Sequence, residues 1–398
     1  MSNHTSEILI LFDLLTRAVS GGESHGESLL SHPAEIWDAL YSMVQKHDLA
    51  HLVGHMLEKQ DLPSCEALSK FRSAKMRAIY RYARMSYEYE QICQTLESAQ
   101  IPFVPLKGSV LRDYYPEPWM RTSCDIDVLV HEEDLSRAAD ALTACGWRVD
   151  EMRVIHDISL HSASGIHLEL HFSLTENMDN IDPLLKRVWD YCSLVPGKQY
   201  EYRQSKEYFL FHHLAHMSYH FVAGGCGIRP VLDLWILERM MSFDENALRE
   251  LLREARLETF YESVSELVKV WFENAPHNAR TAKMEAYILN GGTYGSLANR
   301  VLVEQARAGS GTKNTWQRIF QPYDQLCSYY PILKKYKFLT PVFQVVRWFR
   351  VLMTGRFRHS VQELKINRSN SVDQVEEAKK FLTDIGLTGI HRSTQAQD

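Results

Sequence analysis

No apolar run in this 398-residue chain approaches the length needed to cross a bilayer, which argues against a membrane-spanning helix. Cysteine is sparse: seven residues, scattered, odd in number and without a CxxC pair. That pattern speaks against a disulfide framework and for reduced thiols. Positive charge is not in excess either. The net charge is −6, so no global basic field advertises nucleic-acid binding. Met1–Ser20 lacks the basic start and long apolar core of a signal peptide, since its short run Ile8–Phe12 is followed by Asp13. A soluble, cytoplasmic protein is expected.

What is present is ordinary in bulk and specific in one place. Apolar residues make up 45% and charged residues 24%, the proportions of a globular chain long enough for two or three packed units. The specific place is Ile101–Val130. It opens with a short apolar run stopped by Lys107-Gly108-Ser109 and closes with Asp125-Ile126-Asp127 followed by Val128-Leu129-Val130. The β-branched run predicts a buried strand, and residues two apart in a strand share a face, so Asp125 and Asp127 project side by side. Adjacent carboxylates repel and desolvate one another unless a cation sits between them, and Mg²⁺ suits oxygen ligands of this kind. Gly108 permits close approach of backbone to a phosphate, and the helix start after it offers N–H groups. The combination points to phosphoryl or nucleotidyl transfer.

Leu106-Lys107-Gly108, Tyr115-Pro116, Arg121 and Asp125–Val130 together resemble the uncharacterised nucleotidyltransferase family of the DNA polymerase β-like superfamily. The resemblance covers roughly Gln100–Leu174 and extends, through His216, Arg229 and Asp233, to about Leu237. It implies a Gly-Ser pair on a short helix, an Asp-x-Asp pair on the next strand and a third acid on a later strand. The spacing from Ser109 to Asp125 exceeds the compact superfamily spacing and fits this subfamily. The fold class it implies is α+β: a polymerase β-like core, a mixed sheet with flanking helices, embedded in N- and C-terminal helical regions. Expected segments are a helical region at 1–99, the catalytic core at 100–200, a helical domain closing the cleft at 201–306, and a C-terminal helical region at 307–398.

Helical periodicity runs through residues 6–99 and includes one long helix from Cys65 to Ser98, free of proline and glycine. Its Arg72, Lys75, Arg77, Arg81 and Arg84 read either as a solvated face or as a basic wall towards a triphosphate. From Ile101 strands and helices alternate. Helices are expected at Gly108–Tyr114 and Glu132–Cys145, with Gly146 closing the second, and an extended stretch at Trp147–Ile155. A hairpin follows, with arms Ile158–His161 and Ile166–Phe172. In its second arm strict alternation places His167, Glu169 and His171 on the face opposite Ile166, Leu168 and Leu170. Glu169 stands where the resemblance implies the third acid; His171 reads as ligand, substrate contact or partner of an acid.

Downstream, His212, His216 and His220 recur at every fourth position of a helix, a stripe better read as lining a core or cleft than as zinc ligands, because HExxH is absent. Arg229 and Asp233 read as pocket residues or as a buried ion pair. Between Asp324 and Glu363 there is no acid, while Lys334, Lys335, Lys337, Arg347, Arg350, Arg356 and Arg358 interleave with aromatics. A peripheral contact of 334–358 with a membrane, RNA or a protein partner is one reading, and packing on the body with snorkelling cations is the other.

The expected mechanism is transfer of NMP from an NTP, ATP by default, to an unidentified hydroxyl acceptor. Asp125, Asp127 and Glu169 would hold Mg²⁺, with Mn²⁺ as its substitute, and Lys107, Gly108, Ser109 and Arg121 the nucleotide. His171, His216, Arg229 and Asp233 would contact substrate. The alternative is a catalytically silent nucleotide-binding or assembly protein working through the basic-aromatic C-terminal stretch.

Overall fold

The computed structural model describes residues 3–21, 34–58, 65–150, 156–293, 295–308, 320–321, 323, 326–327, 330–353 and 357–388. Among them a mixed α+β architecture forms around one five-stranded sheet. Its strands are β1 (Phe103–Pro105), β2 (Asp125–Val130), β3 (Arg148–Val149), β4 (Asp157–His161) and β5 (His167–His171), in the order β1-β2-β5-β4-β3. Neighbours are antiparallel except β2 and β5, which run parallel with Asp127 opposite Glu169. The β4–β5 hairpin joins at the expected Ser-Ala-Ser-Gly turn.

Alternation decides which face each strand buries. Ile126, Val128 and Val130 of β2 and Leu168 and Leu170 of β5 are almost fully buried on one face. There they meet Met85, Ile92 and Leu96 of the long helix and Ala138 and Leu142 of the helix Leu135–Ala144. Each buried β2 side chain contributes about 1.5–3 kcal/mol relative to exposure. On the other face Leu129, with Val104 and Leu106, belongs to a larger helical core that contains Leu14, Leu52, Phe71, Leu214 and Phe260. Towards the start of β2 this apolar face gives way to Asp127 and Asp125.

The long helix Glu66–Ser98 has 33 residues and so runs for about 50 Å. Its early residues Leu68 and Phe71 lie in the helical core and its later ones under the sheet, so it ties the two cores together. The expected helix at Gly108–Tyr114 is a helix at Lys107–Leu111 continued by a 3₁₀ turn at Arg112–Tyr114. The expected Glu132–Cys145 helix likewise starts as a 3₁₀ turn, Glu132–Asp134.

Two features escape sequence patterning. A second hairpin, β6 (Cys192–Leu194) and β7 (Tyr202–Gln204), docks on the sheet edge, where Phe103 N–H donates to Tyr200 O. Its strands are too short for alternation to stand out. The helices Glu245–Glu254 and Glu258–Phe272 are separated at Arg256, which adopts a left-handed φ of 56° without proline or glycine to signal it. Of the extended stretch Trp147–Ile155, 147–150 are described and contain β3, and 151–155 lie outside the described residues, as do 63–64, 309–314, 354–356 and the tail 393–398.

Candidate active site

Strand pleat and register assemble the acids. Asp125 and Asp127 point to one face of β2, and the parallel pairing sets Asp125 beside His167 and Asp127 beside Glu169. His171, two residues beyond Glu169 on the same face, brings Nε2 to 3.1 Å from Asp127 Oδ1 and 3.5 Å from Glu169 Oε2. Burial alone would hold the His171 imidazole neutral; hydrogen bonding to the two carboxylates overcomes it and raises the pKa to about 10. For Asp127 burial likewise disfavours the charge, but the His171 hydrogen bond and the nearby cations outweigh it, so its pKa falls below the usual carboxylate range. Asp125 has no such partner. Burial, then the negative charges of Asp127 and Glu169, push it up to about 6.

The donor set suits a divalent cation. Asp125, His167 and Glu169 form one triad, and Asp127, Glu169 and His171 a second that shares Glu169. His156, Asp157 and His171 form a third, and in each the ligand atoms lie within 4.8 Å of one another. The His156 and His171 rings lie 5.8 Å apart, inclined by 13°. Carboxylate oxygens favour Mg²⁺, and the adjoining imidazoles extend the fit to Mn²⁺. A cation here would relieve the repulsion that burial concentrates on Asp125.

The Lys107-Gly108-Ser109 turn abuts the start of β2. Burial lowers the Lys107 ammonium to about 8, Arg121 acting in the same direction and Glu176, Asp127 and Asp125 opposing it. Gly108 serves a close approach, and its neighbour is protein. A Cβ there would lie 3.3 Å from Ser123 Cβ. Ser123 in turn accepts a 2.9 Å hydrogen bond from Arg112, and Arg81 of the long helix lies 3.9 Å from Cys124 Sγ. Two of the five helix cations, Arg81 and Arg84, thus reach the loops at the head of β2 and β5; Arg84 bonds Ser164 O.

Arg121 and Asp233 are brought together, and Arg229 is not paired with Asp233. Arg121 Nε donates to Asp233 Oδ1 at 2.7 Å, and the Tyr115 hydroxyl donates to the same oxygen at 2.7 Å. Asp233 is fully buried. Arg229 instead donates to Asp48 Oδ2 at 2.9 Å and to Thr122 O at 3.0 Å. Both contacts thereby tether the segment leading into β2 to the helix Arg229–Met240. His216 is held neutral, first by burial and then by Lys107 and His220. Since a carboxylate accepts, Nδ1 donates to Glu176 at 2.9 Å, leaving Nε2 to accept from His220 at 2.8 Å.

Sequence reasoning missed Glu176, Asp48 and the pair His156–Asp157. Glu176 and Asp48 meet their partners across 40 and 181 positions of chain, where no local spacing signals them. His156 and Asp157 stand at the head of the predicted hairpin, where register across the strands could have indicated them.

The model of an uncharacterised nucleotidyltransferase family matches residues 33–273, more than half of the chain, and the protein belongs to that family. It is accordingly a transferase that acts on a nucleoside triphosphate. No curated protein matches the chain.

Proposed function

We propose that the protein transfers NMP from an Mg²⁺-bound NTP to a hydroxyl acceptor, with Asp125, Asp127 and Glu169 as the catalytic acids. The observation that carries this reading is the Asp127–Glu169 register across β2 and β5, with Asp125 beside them at a raised pKa. The metal ion, when bound by these acids, would neutralise charge on the triphosphate and on the leaving oxygen. The acceptor oxygen would form its bond to the α-phosphorus as the bond to the β-bridging oxygen breaks, releasing pyrophosphate. Glu169 would take the hydroxyl proton. Lys107, at the edge of the acids, would pair with phosphate oxygens, and Gly108 and Ser109 would border them.

His171 would act on substrate through the acids, keeping Asp127 ionised. Arg121, Asp233 and Arg229 would position the segment entering β2, and His216 would line the acceptor side through Glu176. ATP is the default triphosphate, Mn²⁺ the alternative ion, and the cytoplasm the compartment that supplies both. Incubation with the four α-labelled NTPs, Mg²⁺ and a cell-extract acceptor pool tests the reading. Label should move to an acceptor with wild type. Release of γ-phosphate alone, or label transfer undiminished in Asp127→Asn, would contradict it.

A further inference from the structure

Among the described residues the basic-aromatic stretch has no part in the acid cluster, and its helix Thr340–Met353 has two faces of different character. The inward face carries Phe343, which packs with Tyr330 beside the buried Leu326, Cys327 and Leu333. It also carries the buried Gln344, whose Nε2 donates to Gln321 O at 2.6 Å. The outward face carries Val342, Val345, Val346 and Phe349, at 54%, 42%, 43% and 62% exposure, and Phe338 just before the helix at 76%. Their spacing is i, i+4, i+7, i+8 and i+11, a single helical stripe. It is therefore a continuous apolar ridge, distinct from the scattered apolar residues of any surface.

Charge limits what can cover it. Lys334, Lys335 and Lys337 stand exposed at the start of the ridge and Arg350 at its far end, and the sequence has no acid between Asp324 and Glu363. A second copy laid on the same stripe would bring these cations together with no acid from that segment between them. RNA could meet the cations and stack on Phe338 and Phe349, but it would leave Val342, Val345 and Val346 between them without an apolar partner. A surface that is anionic at its edge and apolar just beneath satisfies both features, because cations meet headgroups while valine and phenylalanine enter the acyl boundary.

We propose that the ridge Phe338–Phe349, flanked by Lys334, Lys335, Lys337 and Arg350, docks this protein peripherally on an anionic lipid surface. The helix lies in the plane of that surface. No helix among the described residues is long and apolar enough to cross it. The site is separate from the acids, so it stands or falls independently of the transfer reaction.

The test is co-sedimentation of the full chain with vesicles of phosphatidylcholine alone or mixed with phosphatidylglycerol. Wild type should sediment with the mixed vesicles only and should detach as salt is raised. Val346→Glu/Phe349→Glu should abolish binding, and Lys334→Gln/Lys335→Gln/Lys337→Gln should weaken it about 100-fold. All these positions are exposed, and an unchanged melting temperature would verify that the variants are folded. Three results would overturn the proposal: sedimentation unaltered in both variants, retention of single-stranded RNA without vesicle binding, or a concentration-dependent dimer dispersed by Val346→Glu/Phe349→Glu without vesicle binding.

Discussion

Asp127 and Glu169 face each other across the one parallel strand pair of the sheet, with the His171 imidazole bridging them at 3.1 and 3.5 Å. The imidazolium balances part of the charge of the acids through these two contacts. Asp127→Asn keeps the volume and removes the charge. Transfer should fall by at least on the order of 10²–10³-fold, with a far-UV circular dichroism spectrum unchanged from wild type.

His171→Gln leaves two half-buried carboxylates without their cation. We expect a loss of about 1–2 kcal/mol in the metal-free protein, measured by urea unfolding. Saturating Mg²⁺ should recover part of it, because a bound cation replaces the lost charge. Equal losses with and without Mg²⁺ would mean that His171 is only a packing residue.

The Arg121–Asp233 pair should behave as structure. Asp233 is fully buried and takes both Arg121 and Tyr115 on one oxygen, so Asp233→Ala strands a guanidinium and should cost about 3–5 kcal/mol. Arg121→Lys should not restore stability, because an ammonium cannot reproduce the guanidinium geometry. Thermal unfolding of the two variants checks this.

Acid should unfold the protein through its buried histidines. His47 is fully buried, Ile228 N–H donates to its Nδ1 at 3.3 Å, and burial lowers its pKa to about 4. The unfolded chain takes up this proton near 6.5. The stabilisation is therefore present above 6.5 and is lost as pH falls through 4, amounting to about 3 kcal/mol. His51 and His212, also lowered by burial, act in the same direction. A melting-temperature series from neutral to acid pH should be flatter for His47→Phe than for wild type.

What the sequence made legible follows from range. Alternation in Asp125–Val130 and His167–His171 is local, and it was enough to specify the sheet face on which Asp125, Asp127 and Glu169 meet. The hairpin β4–β5 followed from its Ser-Gly turn for the same reason. The partners of Arg229 and His216 were illegible because Asp48 and Glu176 come from distant elements, and ion pairing carries no spacing rule across a fold. Gly108 shows a third case. The sequence announces that something approaches closely, but the space is shared with Ser123, a neighbour that no local spacing signals.

Nucleotide and metal are expected to bind together at these acids. The most direct measurement is a thermal-shift panel of the four NTPs, each with and without Mg²⁺, on wild type and on Asp125→Ala/Asp127→Ala. At least one NTP should stabilise wild type only when Mg²⁺ is present, and the double variant should show no such shift. A shift of the same size in the double variant, or no Mg²⁺-dependent shift with any NTP, would contradict this expectation.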